Sequence, residues 1–314
     1  MEYVILLTSL VGIVFGADFL VTGSVSVARR YGVSDFVVGA VIVGMGTSMP
    51  EFVVSFIGAL NGNSDVAIGN VVGSNIFNVL GILGLTALFF PVATDRKNVK
   101  FELPLCVVVS VLLTLLAFDF FFTPAAGISR VDGILLLFVF VVFMYISFVR
   151  DRKNVSTVTR EPTTLPLWKS ITKVVGGLAL LITSCDLFVD NAVTIAKSFG
   201  VSEAFISLTL IACGTSLPEL AASIAAAVKK NTDMALGNIV GSNIFNITFI
   251  LGLSSMVTPL TSSGITLVDY IVMIAAAVLT FLLGVRGKIG RAWGAVMIVC
   301  FVMYNCYLVT NQIV

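Results

Sequence analysis

The stretch Gly46–Glu51, GTSMPE, sets a proline and a glutamate side by side inside a run otherwise apolar enough for lipid. It occurs twice, since GTSLPE stands at 214–219, 168 residues further on. The same offset carries GNVVGSNIFN at 69–78 onto GNIVGSNIFN at 237–246, Asp65 onto Asp233, YGVSD at 31–35 onto FGVSE at 199–203, and Asp18 onto Asp186. No gap is needed between 18–78 and 186–246, and 22 of the 48 positions in 31–78 are identical to their partners. Chance likeness between two apolar segments would not preserve their polar positions, so the chain contains an internal duplication.

What surrounds these motifs is a membrane protein. Of 314 residues, 58% are hydrophobic and 11% charged, against about 25% charged in a soluble domain. Runs of the roughly 20 apolar residues that cross a hydrocarbon core recur along the whole chain. Ten are expected, at 3–28, 35–60, 66–92, 101–119, 131–149, 170–198, 202–228, 234–260, 265–285 and 290–312. The first opens on Glu2 and runs to Arg29 and Arg30 without a basic leader, so it reads as a true span and not a signal peptide. The longest polar connection, 150–170, is too short for a core of its own.

Five spans separate each motif from its copy, and five is odd. The second half therefore enters the membrane from the opposite side, which makes the fold class all-α, ten helices in two inverted five-helix repeats at 1–149 and 170–314, joined by a linker at 150–169. Inverted repeats characterise secondary transporters, with the substrate site near the midplane on interrupted helices. Of the 18 lysines and arginines, all but Arg130 and Lys197 fall in loops following odd-numbered spans. Basic residues collect on the cytoplasmic side, which places the linker there and both termini outside.

The motifs carry oxygen chemistry. Pro50 lacks an N–H and crowds the preceding turn, Gly44 and Gly46 let the backbone open, and Thr47 and Ser48 add hydroxyls beside the Glu51 carboxylate. Gly214, Thr215, Ser216, Pro218 and Glu219 repeat the arrangement. Ser74 and Asn78 lie four apart, on one helix face, as do Ser242 and Asn246, whereas Asn75 and Asn243 are expected to point elsewhere, into helix packing. Gly69, Gly73, Gly237 and Gly241 form small-xxx-small pairs suited to close helix approach. A carboxylate at mid-membrane costs at least ~2.5 kcal/mol unless it is used. Two carboxylates, hydroxyls and amides suit a hard cation such as Ca2+, which takes six to eight oxygens, and an anionic substrate has no basic residue there to balance it. A divalent cation neutralises both glutamates, and monovalent cations or protons competing for the same carboxylates give exchange.

The paired GTSMPE/GTSLPE and GSNIFN/GSNIFN blocks resemble the alpha-repeats of the calcium/cation antiporter superfamily, close to prokaryotic sodium/calcium exchangers, and the resemblance covers essentially the full chain. It implies an antiporter of the cell's inner (plasma) membrane that exchanges Ca2+ for Na+. Spans 2, 3, 7 and 8 form its core, and spans 1 and 6 slide across that core as a gating pair. Carried over by position, Glu51 and Glu219 are shared Ca2+ and Na+ ligands, with the backbone carbonyls of Thr47 and Thr215 completing the Ca2+ shell. Ser48, Ser74, Ser216 and Ser242 line Na+ sites, Gly44 and Ala212 contribute carbonyls, and Asn78 and Asn246 face the central position. Some family members have aspartate where this chain has Asn246, so two carboxylates stand here in place of three. Ca2+/H+ exchange, or a K+-involving variant, remains open on the same fold, and a passive cation channel is the alternative of another class.

The remaining residues narrow the field. Histidine is absent, which excludes histidine relays, triads and metal sites. The five cysteines (Cys106, Cys185, Cys213, Cys300, Cys306) fall in apolar segments at no ligand-like spacing. No nucleophile–base pair or nucleotide motif is visible, so no enzymatic activity, no cofactor beyond the transported ions, no nucleic acid and no protein partner other than lipid surroundings is expected. Asp65 and Asp233 are expected as helix N-caps. Asp18 and Asp186 either draw cations towards access funnels or merely pair with hydroxyls and backbone, and both readings stay open.

Overall fold

The computed structural model describes residues 2–94, 99–118, 127–154, 165–199, 212–261 and 264–312. Nearly all of it is helix: α1 (Glu2–Tyr31), α2 (Asp35–Thr47), α3 (Met49–Leu60), α4 (Ser64–Phe89), α5 (Glu102–Ala117), α6 (Arg130–Asn154), α7 (Leu167–Ser198), α8 (Leu217–Val228), α9 (Thr232–Val257), α10 (Leu267–Val285) and α11 (Arg291–Gln312). A short turn, Ala212–Gly214, precedes α8. Seven of these helices are long and apolar enough to cross a membrane, and α2 with α3 makes an eighth if that pair, bent by 48°, is one broken span. Helices α5 and α8 are apolar but shorter, at 16 and 12 residues. Residues 202–211 of the expected seventh span, and 155–164 of the 150–169 linker, lie outside the described residues.

Side-chain caps start α4, α9 and α10. Asn63 accepts from the Val66 N–H at 3.3 Å and Asn231 from the Met234 N–H at 3.1 Å, which corrects the expectation for Asp65 and Asp233. A cap must stand one residue ahead of the helix to reach the N–H three residues on. The aspartates stand two residues inside that position, in the first turn, where the helix dipole favours a negative charge, and Asp65 accepts instead from the Gly264 N–H at 3.0 Å. Thr266 and Asp269 form a capping box at the start of α10.

Among the described residues three helices contain π-helical turns, at Gly39–Gly44 in α2, Phe77–Leu83 in α4 and Asn246–Ile250 in α9. Such wide turns inside α-helices gather at functional sites, and here they border both copies of the repeated motifs.

Small residues set the packing. On α9, a Cβ at Gly237 or Gly241 would collide with the backbone of Phe36 or Ala40, so α9 lies directly on α2. For Gly69 and Gly73 the corresponding stretch falls outside the described residues. The long helices α1 and α7 meet in the same manner, through Gly16 against Leu181 and Gly177 against Leu20, with Ser26 and Ser170 sharing a hydrogen bond of 2.8 Å. A two-stranded antiparallel ribbon, β1 (Val92–Ala93) and β2 (Lys288–Ile289), joins the end of α4 to the approach to α11. Helices α4 and α9 are the most buried of the long helices. Outer helices present bare apolar side chains, among them Phe138, Val141, Val299 and Met303. Such a surface would aggregate in water and suits hydrocarbon.

Candidate functional site

The helix breaks assemble the site. Ser48, between α2 and α3, has φ −80° and ψ 10°, and Ser216, ahead of α8, has φ −94° and ψ 9°. Both lie in the sparsely populated bridge region of backbone space. Pro50 and Pro218 occupy the first turn of the helix that follows, where a missing N–H costs no intrahelical bond. Each glutamate is thereby delivered to a helix N-terminus, whose free N–H groups favour a carboxylate.

The break also turns each serine across to the other motif. Ser48 Oγ donates to Glu219 Oε1 at 2.8 Å, and Ser216 Oγ donates to Glu51 Oε1 at 2.7 Å. All four residues are fully buried. Further bonds are duplicated within each half, offset by 168 residues. Asn70 Nδ2 donates to the Glu51 carbonyl at 3.1 Å and to Ser55 Oγ at 2.9 Å. Asn238 Nδ2 donates to the Glu219 carbonyl at 3.1 Å and to Ser223 Oγ at 2.8 Å.

Around this pair stand most of the residues expected from the sequence. Ser74 Oγ accepts from Ser216 Oγ at 3.3 Å, and Ser242 Oγ donates to the Gly44 carbonyl at 3.1 Å. The Thr47 hydroxyl is engaged by the Val43 carbonyl of its own helix at 2.9 Å. Thr215 Oγ1 is buried with no partner among the described residues. Ala212 opens the short turn before the second break. Asn78 and Asn246 are fully buried, each at the start of a π-helical turn.

One property separates this cluster from an ordinary buried polar network. Glu51 Oε2, Glu219 Oε2, Asn78 Oδ1 and Asn246 Oδ1 are buried and accept no hydrogen bond from any described residue. Buried acceptors are ordinarily satisfied, and these four, in two pairs related by the 168-residue offset, are carboxylate and amide oxygens of the type a hard cation takes. No lysine or arginine among the described residues pairs with either glutamate.

Three outcomes differ from, or narrow, the sequence reading. Asn75 and Asn243 do pack helix against helix, but they also bond Asn246 and Asn78 directly, so they belong to the site's support. Asn70 and Asn238, with Ser55 and Ser223, were missed. Their signal was present, since all four are polar positions kept identical across the two copies. Among the described residues Asp18 pairs with neither hydroxyls nor its own backbone but with a cation of the other half, its carboxylate 2.7 Å from Lys229 Nζ, while its counterpart Asp186 is exposed on α7.

The sequence pattern of the sodium/calcium exchanger proteins matches residues 1–149 and 169–310. The chain belongs to that family. It is similar to the putative antiporter CaxA of Alkalimonas amylolytica, with 39% identity over 98% of both chains. The sodium/calcium exchanger MaX1 of Methanosarcina acetivorans is 31% identical over 98% of this chain and 97% of its own. Among solved structures, the sodium-calcium exchanger NCX_Mj soaked with zero Na+ and Ca2+ superposes with a TM-score of 0.85 at 30% identity, covering 98% of each chain. This exchanger-family chain is thus a multi-pass membrane protein of helical architecture.

Proposed function

We propose that this chain is a secondary antiporter that exchanges Ca2+ for Na+ by alternating access, with both cations competing for Glu51 and Glu219. The observation that carries the reading is the set of four buried, unpartnered oxygens, Glu51 Oε2, Glu219 Oε2, Asn78 Oδ1 and Asn246 Oδ1. Two carboxylates and two amide carbonyls offer a divalent ion charge balance and half or more of its oxygen shell. The carbonyls of Thr47 and Thr215, and of Gly44 and Ala212, extend the shell, and Ser48, Ser74, Ser216 and Ser242 serve Na+ when Ca2+ has left.

The wider reading is ten spans in two inverted repeats, 1–149 and 170–314, around a cytoplasmic 150–169 linker, in the inner (plasma) membrane with both termini outside. Support comes from the reciprocal hydrogen bonds at a constant offset of 168, from the family match falling on two segments of similar length, and from the basic-residue asymmetry. Helices α5 and α8 complete the count as the expected fourth and seventh spans. Helices α1 and α7, packed on each other through glycines, slide over the core to expose the site to one side and then the other.

The test is Ca2+ uptake into proteoliposomes with an outward Na+ gradient and the pH clamped. Uptake that follows the Na+ gradient supports the reading. Uptake that follows only a pH gradient overturns it in favour of Ca2+/H+ exchange, and flux without any counter-ion overturns it in favour of a channel.

A further inference from the structure

The four asparagines of the paired GSNIFN motifs form a closed relay between α4 and α9. Asn75 Nδ2 donates to the backbone carbonyl of Asn243 at 3.2 Å, and Asn243 Nδ2 donates to the backbone carbonyl of Asn75 at 3.2 Å. Asn246 Nδ2 then donates to Asn75 Oδ1 at 3.1 Å, and Asn78 Nδ2 donates to Asn243 Oδ1 at 3.0 Å. All four side chains are at most 3% exposed.

The relay has only one consistent orientation. A backbone carbonyl can only accept, so the group that Asn75 turns to it must be its amino group. Its Oδ1 is then committed to the side facing Asn246, and an oxygen there calls for a donor. Asn246 must answer with Nδ2, which leaves its own Oδ1 on the opposite side, where it has no partner. The same chain of constraints runs from the Asn75 carbonyl through Asn243 to Asn78. Reversing either amide would set two oxygens against each other and turn an amino group to the ion.

We propose that Asn75 and Asn243 are positioning residues that fix the amide orientation of Asn246 and Asn78, so that carbonyl oxygens and not amino groups face the transported cation. Each repeat thereby orients the ligand of the other. The inference rests on the proposed Ca2+ site and adds to it a reason why an amide, which is half donor, serves as a cation ligand in both halves.

The test is a double-mutant cycle on the apparent KM for Ca2+, measured in proteoliposomes after Na+-driven uptake by the unmodified chain has been established. Absent uptake there counts against the function, whatever the variants do. With uptake present, Asn246→Ala removes the ligand and Asn75→Leu keeps the branched shape of its side chain, at a larger volume, but releases the ligand's amide. Each single change is expected to raise KM by about tenfold, as for one lost interaction of a buried polar group, with the maximal rate little changed. The double variant is expected to be no worse than Asn246→Ala alone, because Asn75 acts only through Asn246. A KM unaltered by Asn75→Leu, or a double variant whose defect is the product of the two, overturns the relay, since a merely structural role would add. The pair Asn243→Leu and Asn78→Ala gives the same readout from the other half should Leu at 75 prevent insertion.

Discussion

Ser48 on one repeated motif donates to Glu219 of the other at 2.8 Å, and the two residues lie 171 positions apart in the chain. With the reciprocal bond from Ser216 to Glu51, neither motif completes its own carboxylate site. Removing a hydroxyl costs a charge-assisted hydrogen bond of about 1.5–3 kcal/mol. Ser48→Ala and Ser216→Ala should therefore each weaken Ca2+ affinity by at least tenfold. Isothermal titration in detergent checks this, and unaltered affinity in both variants would show that the cross-motif bonds are incidental.

The glutamates bear the heavier load. Glu51→Gln or Glu219→Gln puts an amino group where an unpartnered carboxylate oxygen now stands and removes one of two negative charges. Uptake of radiolabelled Ca2+ should fall to background in each, while the purified protein elutes as a single folded species. Near-normal transport in either variant would remove the proposed ligand set.

Asp18 should behave differently, although it too is an acid in an apolar helix. It is paired with Lys229, and the two side chains retain 48% and 31% of their accessible surface. An ion pair so exposed is worth about 0–1 kcal/mol. Asp18→Asn is expected to keep at least a third of the Ca2+ uptake rate. A loss as deep as that of Glu51→Gln would give Asp18 a direct part in ion passage.

The α1–α7 contact makes a stability prediction. A Cβ at Gly177 would lie 2.6 Å from the Leu20 backbone nitrogen and 2.9 Å from the Gly16 carbonyl oxygen, whereas at adjacent Gly176 it meets nothing within 4 Å among the described residues. Gly177→Ala should destabilise the protein by about 1–3 kcal/mol through overpacking. Gly176→Ala should be neutral or stabilising by up to about 1 kcal/mol through helix propensity. Thermal unfolding in one detergent, run on both variants, reads the contrast directly.

Much of this site was legible in the sequence because its signal is polarity where lipid permits little. Pro50, Glu51, Ser74 and Asn78 stand out from apolar surroundings, and their copies 168 residues on rule out accident. What stayed hidden depends on contacts between the copies. The role of Asn75 is set by a backbone carbonyl on another helix, and no spacing along its own helix reveals it. Nor does periodicity reveal the π-helical turn at Asn246, which changes one turn's width without interrupting the helix. Asp65 drew attention as a cap because it is charged, but Asn63, two residues earlier, has the reach to the free N–H.

Proteoliposomes loaded with Na+, held at one pH on both sides and diluted into Na+-free buffer with micromolar labelled Ca2+, test the central claim most directly. The account predicts Ca2+ accumulation that rises with the imposed Na+ gradient, is inhibited by external Na+, and disappears in Glu51→Gln. Accumulation indifferent to Na+ on either side, or undiminished in Glu51→Gln, would contradict it.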